Sequence, residues 1–256
     1  AKNFSVNLER VDATTLGFPR DTGVFATTPN YIYKVDKSLF IFEPAAEYIL
    51  TITIDGKIYK SSTLLINQID IVLPKSSQPL NWNPKVNEVI SQGPLFSYEP
   101  LGANEKADPA IISLYLRFNY FERDVAVSPD YVPKSLMITV DESVIPMDNR
   151  FRISINKIFS TIGDKLLRSA SIDRYFSTID FVVLSGGKEF LDYNEALAAN
   201  AGITGTQDFP IFTNIEGGFG IFSSKNTQEF KDYYLSELAL DSLAFSRYTN
   251  GLNFRP

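Results

Sequence analysis

The sequence predicts a mostly β protein: two sandwich-like domains, with one or two short helices attached to the second. Three observations predict it. Aromatic residues make up 13% of the 256 positions, with 20 Phe and 13 Tyr, and such side chains favour strands. Apolar and polar residues alternate with period two in one stretch after another, while helical spacing is scarce. The polar, proline-bounded connector Pro74-Lys-Ser-Ser-Gln-Pro79 parts a chain long enough for two modest cores, giving domains over residues 1–75 and 80–256.

Phe4, Val6 and Leu8 alternate with Ser5, Asn7 and Glu9, so Phe4 to Val11 reads as the first strand. Gly17 to Gly23 is punctuation, and the loop through Pro29-Asn30 leads into a second strand at Tyr31 to Val35. Leu39 to Phe42 is a short apolar run stopped by Glu43-Pro44. The clearest hairpin follows. Tyr48, Leu50, Ile52 and Ile54 share one face, expected to be the core face, Asp55-Gly56 supplies the turn, and Lys57-Ile-Tyr59 begins the return. Ser61 to Leu73 continues extended, with Leu64, Ile66, Ile69, Ile71 and Leu73 apolar.

Past the connector, four prolines and two glycines between Trp82 and Pro109 predict a long irregular loop that carries Phe96 and Tyr98. Ile111 to Glu122 is the strongest strand, with Ile112, Leu114, Leu116, Phe118 and Tyr120 on one face, and belongs in the middle of the second sheet. Leu136 to Val140, Phe151 to Ile155 and Ser177 to Leu184 are further strands. Lys188 to Asn200 has Phe190, Tyr193 and Leu197 at helical spacing, with Gly202 as its C-terminal cap. Phe209 to Ser224 reads as a hairpin-like close, two apolar runs joined at Glu216-Gly-Gly218. Its Gly218-x-Gly220 string begins like a dinucleotide fingerprint, but no helix pattern follows. Asn226 to Leu240 admits helix or strand, with strand favoured over Tyr233 to Leu240. A last helix starts at Asp241 and runs through Tyr248.

Composition excludes more than it selects. Without Cys there are no disulfides, thiolate nucleophiles or iron–sulfur ligands, and without His the common triads and zinc sets are missing. Any enzyme would have to work with carboxylates, Lys, Tyr, Ser or a bound cofactor, so the expectation is no catalysis and no cofactor. A net charge of −6 creates no field that attracts nucleic acid. No apolar run approaches the length of a membrane span, and the chain opens on Ala-Lys-Asn-Phe with no signal sequence.

Four phrases together resemble a known family: Gly23-Val-Phe-Ala-Thr-Thr-Pro-Asn-Tyr-Ile-Tyr33, Tyr48 to Ile54 with Asp55-Gly56-Lys57, Arg117-Phe-Asn-Tyr-Phe-Glu122, and Phe212 to Ser224. In this order they look like an uncharacterised family of exported lipoproteins from Bacteroidota. The resemblance covers most of the chain and contains no catalytic motif. It implies an immunoglobulin-like first half, a fibronectin-like second half and a cell-envelope location, either periplasmic or as an outer-membrane lipoprotein. The lipidated Cys of such proteins is missing here, so any membrane attachment is through an anchor upstream of residue 1.

Three constellations merit a chemical reading. Ser-x-x-Lys, a nucleophile with its base, occurs at Ser154 to Lys157 and at Ser185 to Lys188. On a strand the first pair would point to opposite faces, and the second lies in a turn. Carboxylates gather at Asp141-Glu142 with Asp148-Asn149 and at Glu122 with Asp124, without the spacing of a calcium loop. Trp82, Phe96 and Tyr98 are candidate ligand contacts that can stack on a sugar or anchor a protein, the alternative being that Trp82 plugs the core and the tyrosines lie on strands. The expectation is a non-catalytic envelope protein presenting loops or a sheet edge to a glycan, a peptide or a neighbouring surface protein. The alternative is an adhesin or fibre subunit that assembles by edge-strand pairing, with Phe4 to Val11 as donor or acceptor strand.

Overall fold

The computed structural model describes residues 4–18, 29–39, 41–85, 87, 93–140, 149–200 and 212–256. Strand accounts for 43% and helix for 19%, so the protein is mostly β. It divides into two compact units, Ala1–Glu43 and Pro44–Pro256. The first is small. β1 (Glu9–Asp12) pairs antiparallel with β2 (Tyr31–Lys34), and the Arg10 guanidinium lies over the Tyr31 ring at 4.4 Å. The first strand is therefore shorter than Phe4 to Val11. It gives way to a 3-10 turn over Ala13–Leu16 because the Asp12 carboxylate accepts from the Thr14 N–H and Gly17 takes the left-handed conformation that ends the turn.

The second unit begins with the expected hairpin, β3 (Glu47–Ile54) and β4 (Lys57–Leu64), in unbroken register over eight pairs. Asp55 and Gly56 both have positive φ, the conformation of a two-residue type I′ turn. The supposed core face is only half covered: Tyr48 and Leu50 are half-buried, but Ile52 and Ile54 are exposed, as is Ile49 behind them. A two-stranded ribbon has no second layer of its own.

The 74–79 connector does not part this unit. β5 (Gln68–Leu73) and β6 (Leu95–Leu101), on either side of it, are antiparallel neighbours, and β9 (Arg150–Arg152) completes their sheet. β6 also occupies the stretch expected to be an irregular loop. Pro100 fits there because the Ile69 backbone opposite it turns to the Gln228 side chain instead of to β6, so the missing N–H of Pro100 falls on the far side.

The large curled sheet has the order β11–β10–β7–β8, built from β7 (Ala110–Asp124), β8 (Val132–Val140), β10 (Ile172–Gly186) and β11 (Lys225–Tyr233). β11 covers only the second half of the edge of β10. A short parallel strand, β12 (Phe254–Arg255), takes the first half. The register between β10 and β7 slips between Phe176 and Ile179. One extra residue there reverses the alternation: Ile172 and Arg174 face inward before it, and Ile179, Phe181 and Val183 after it.

The inner face meets α1 (Ile155–Lys165), α3 (Glu237–Phe245) and the β5–β6–β9 sheet in one core. Phe181 is its centre, 5.5 Å from Phe96, 4.7 Å edge-on from Tyr233 and 6.4 Å from Trp82. α1 stands where a strand to Ile155 was expected. The strand stops at Arg152 because Ser154 accepts from the Lys157 N–H and caps a helix whose Ile155, Ile158, Phe159 and Ile162 face the core. α2 (Lys188–Asn200) matches the expected helix, while its Gly202 cap lies outside the described residues. The strand favoured over Tyr233 to Leu240 is instead the end of β11 followed by α3. Ser236 is the N-cap, accepting from the Ala239 N–H, and Asp241 falls inside the helix.

The described part of the 209–224 segment, from Phe212 on, forms no strands. Its apolar runs are held together by a side chain: Asn214 donates to the Phe222 carbonyl at 2.7 Å and accepts from the Phe222 N–H at 2.8 Å, closing the loop as a strand pair would. Gly217 and Gly220 supply the positive φ that the loop needs.

Candidate functional site

The inner face of the large sheet is consumed by the core, so chemistry has to come from the outer one. There, the registers align side chains in rows across the strands. Pro133, Phe121, Tyr175 and Arg255 are successive partners on β8, β7, β10 and β12. With strands spaced about 4.8 Å apart, this row is about 14 Å long. Phe121 and Tyr175 keep 40% and 36% of their surface exposed, enough to leave the rings open on the solvent side. The Arg255 guanidinium lies 5.4 Å from the Tyr175 ring, and Tyr131 packs against the same ring at 4.9 Å.

The neighbouring row, one step toward the end of the sheet, anchors the Tyr131 and Arg255 groups that pack on Tyr175. Asp173 stands opposite Arg123 and is the hub: it accepts from the Tyr131 hydroxyl at 2.7 Å, from Arg123 at 3.0 Å and from Arg255 through two nitrogens. Burial pushes the Asp173 carboxyl up, but the bonds from Tyr131, Arg255 and Arg123 outweigh it and hold the group below the ordinary carboxylate range. Tyr131 moves the other way. Desolvation, and then donation to the charged Asp173, push its phenol far above the usual value, so it stays a donor. The Arg123 guanidinium also stacks on the Tyr131 ring at 4.5 Å, and its Nε is buried without a hydrogen-bond partner.

On the other side of the aromatic row, Asn119 donates to Thr178 at 3.0 Å and to Asp180 at 2.9 Å. Beyond it Arg117 makes a bidentate pair with Glu229 at 2.7 and 3.1 Å and reaches Asp180 at 3.6 Å. Hydrogen bonding from Arg117 lowers the Glu229 carboxyl. The two displaced carboxylates on this face, Asp173 and Glu229, are thus held down, the direction opposite to that of a general acid. What the face offers is flat apolar rings between fixed donors and acceptors, an arrangement suited to holding a ligand.

The residues singled out from the sequence lie elsewhere. Trp82, Phe96 and Tyr98 are 2%, 0% and 6% exposed and belong to the core, so none presents a ring face to a ligand. Ser154 is a helix cap. Ser185 is buried on β10, and Lys188 is paired with Asp192 one turn along α2. Glu122 is on the inner face in a pair with the buried Arg174, while Asp124 accepts from the Ala126 N–H in the following turn. Asp141, Glu142 and Asp148 lie outside the described residues. Among the described residues no group of three or more acidic side chains is placed to hold a metal ion, and no helix is long and apolar enough to cross a membrane.

The aromatic row was hidden in the sequence because Phe121 lies on the polar face of its expected strand, Tyr175 precedes the strand expected over Ser177 to Leu184, and β12 is two residues long. A groove of about 390 Å³ lies between Asn83–Lys85 and the end of α3, with Asp241, Phe245 and Tyr248 along it. Its Ser242 and Asn83 are bonded to each other, at 3.0 Å. No family model, curated protein or solved structure matches this chain.

Proposed function

We propose that the protein is a non-catalytic binding protein that holds a glycan on the outer face of its large sheet. The row Pro133–Phe121–Tyr175–Arg255 carries this reading. Sugar rings have an apolar face that stacks on aromatics and an edge of hydroxyls that needs donors and acceptors. The row supplies the first, and the Asp173–Arg123–Tyr131 and Asn119–Asp180 networks beside it supply the second. The site is prepaid in entropy, because the Tyr175 ring is packed between Tyr131 and Arg255 and each charge is held by its partner before any ligand arrives.

In this reading the chain is an exported cell-envelope protein of the kind its sequence resembles, without cofactor. The large sheet and the β5–β6–β9 sheet, which meet through Phe181 and Phe96, form a fibronectin-like sandwich to which the helices are attached. Binding to an immobilised oligosaccharide array is the test. At least one class of oligosaccharide is expected to bind the native chain, and Tyr175→Ala and Phe121→Ala are each expected to weaken that binding about tenfold, the equivalent of one stacked ring, while melting stays intact. A native chain that binds no member of the array, or variants that bind as well as it does, would sink the proposal.

A further inference from the structure

The β3–β4 hairpin has one occupied edge and one open edge. A two-residue turn makes Ile54 and Lys57 a hydrogen-bonded pair, so Ile54, Ile52, Leu50 and Tyr48 direct their backbone groups to β4. Lys60, Ser62 and Leu64 direct theirs away from β3, and all three carbonyls are taken: by the Glu216 N–H, the Asn214 side chain and the Ser224 hydroxyl. On β3, Glu47, Ile49, Thr51 and Thr53 point outward, and among the described residues none of these backbone groups has a partner. The devices that protect an edge strand, a Lys, a Pro or a bulge, are missing from Tyr48 to Ile54. Ile49, Ile52 and Ile54 are 69%, 38% and 55% exposed.

The geometry points to a second copy of this chain as the occupant, with the two β3 strands antiparallel about a two-fold axis through Thr51. The pattern Tyr48-Ile-Leu-Thr-Ile-Thr-Ile54 is symmetric about that residue. Antiparallel pairing places Tyr48 opposite the second copy's Ile54 and Leu50 opposite its Ile52 on one face, and Ile49 opposite its Thr53 on the other. Large apolar groups therefore meet large apolar groups, and β-branched residues meet β-branched ones. Only outward-pointing residues become direct hydrogen-bonded partners: Thr51 with Thr51, and Ile49 with Thr53 twice, about six backbone bonds in all. Glu47 and the second copy's Asp55 would face each other next, and their like charge ends the paired stretch. The result is a continuous four-stranded sheet, and it does not depend on whether the outer face of the large sheet binds a glycan.

The absence of Cys makes the test clean. In a hydrogen-bonded antiparallel pair the facing Cα atoms are about 5.5 Å apart, within disulfide range. The Thr51→Cys chain, oxidised mildly at micromolar concentration, is expected to become mostly disulfide-linked dimer. Ile49→Cys, whose two copies would sit about 13 Å apart along the strand, is expected to cross-link at least tenfold more slowly. Light scattering on the native chain should show a concentration-dependent dimer, and Thr51→Pro should abolish it, since that N–H points away from β4 and the hairpin ladder survives. A native chain that stays monomeric at the highest soluble concentration, equal cross-linking at 49 and 51, or a dimer that persists in Thr51→Pro would each overturn the proposal.

Discussion

Arg174 is 1% exposed, which for a guanidinium is acceptable only when its donors are satisfied. Its Nε donates to Glu122 at 2.8 Å, and the terminal nitrogens donate to the Leu252 and Leu167 carbonyls at 2.6 and 3.0 Å. Glu122 in turn takes Lys134. Burial pushes the Glu122 carboxyl up, but hydrogen bonding from Lys134 and the charge of Arg174 prevail and hold it below the ordinary value of 4.5. A depressed carboxyl contributes stability that is present above the ordinary value and is lost as pH falls through the folded one. Glu122→Gln is therefore expected to cost about 3 kcal/mol at pH 7, since it leaves a buried cation without its counter-ion. The penalty should shrink as pH falls below the ordinary 4.5, where the unfolded chain takes up a proton that the native carboxylate resists. Urea titrations at pH 7 and pH 3 measure it, and a penalty of the same size at both would refute the account. None of this pairing was legible in the sequence, where Glu122 and Arg174 are 52 residues apart and Glu122 read only as the end of a strand with Asp124 beside it.

Among the elements, those that stand on local pattern were legible, and those that stand on a cap or a distant partner were not. β7 was readable because Leu114, Leu116, Phe118 and Tyr120 alternate without interruption, and the β3–β4 hairpin because Asp55-Gly56 is the turn its backbone demands. α1 was missed because Phe151 to Ile155 alternates as a strand does, although Ser154 followed by Ile155, Ile158, Phe159 and Ile162 is equally a cap followed by a helical stripe. The Ser-x-x-Lys that suggested chemistry was that cap. α1 also yields a prediction in which two effects oppose each other. Gly163 lies inside the helix, where Ala is better by about 1 kcal/mol on propensity alone. A Cβ there, however, would land on the Tyr248 carbonyl oxygen, part of the turn that follows α3. Arg168 locks the same contact by donating to the Gly163 and Tyr248 carbonyls, both at 2.7 Å. Backbone cannot yield as a flexible side chain can, so Gly163→Ala should lower stability by about 1–3 kcal/mol, read as a lower melting temperature. A rise would show that propensity wins.

At the scale of the molecule, sequence pattern supplied the class but not the partition. The connector at 74–79 has the composition of a linker, yet β5 and β6 pair across it and Ile69, Trp82 and Phe96 share one core. Strand pairing over such distances leaves no mark on local composition. The structural boundary falls instead between Glu43 and Pro44, where the sequence showed only the end of a short apolar run. The row on the outer face of the large sheet was equally illegible, because residues drawn from four strands line up only once their registers are set. If Pro44–Pro256 is a complete folding unit, a chain that starts at Pro44 should retain its cooperative transition. Trp82 is the single Trp and is buried against Phe181, so its fluorescence reports this core and nothing in the first unit. The shortened chain is expected to show the same blue-shifted emission and an unfolding free energy in water within about 10–15% of the full-length value, the resolution of the urea extrapolation. Red-shifted emission, or loss of the sigmoidal transition, would mean that residues before Pro44 are needed to close the core. The β1–β2 pair would then belong to the fold of the second unit, and the boundary would have to be given up.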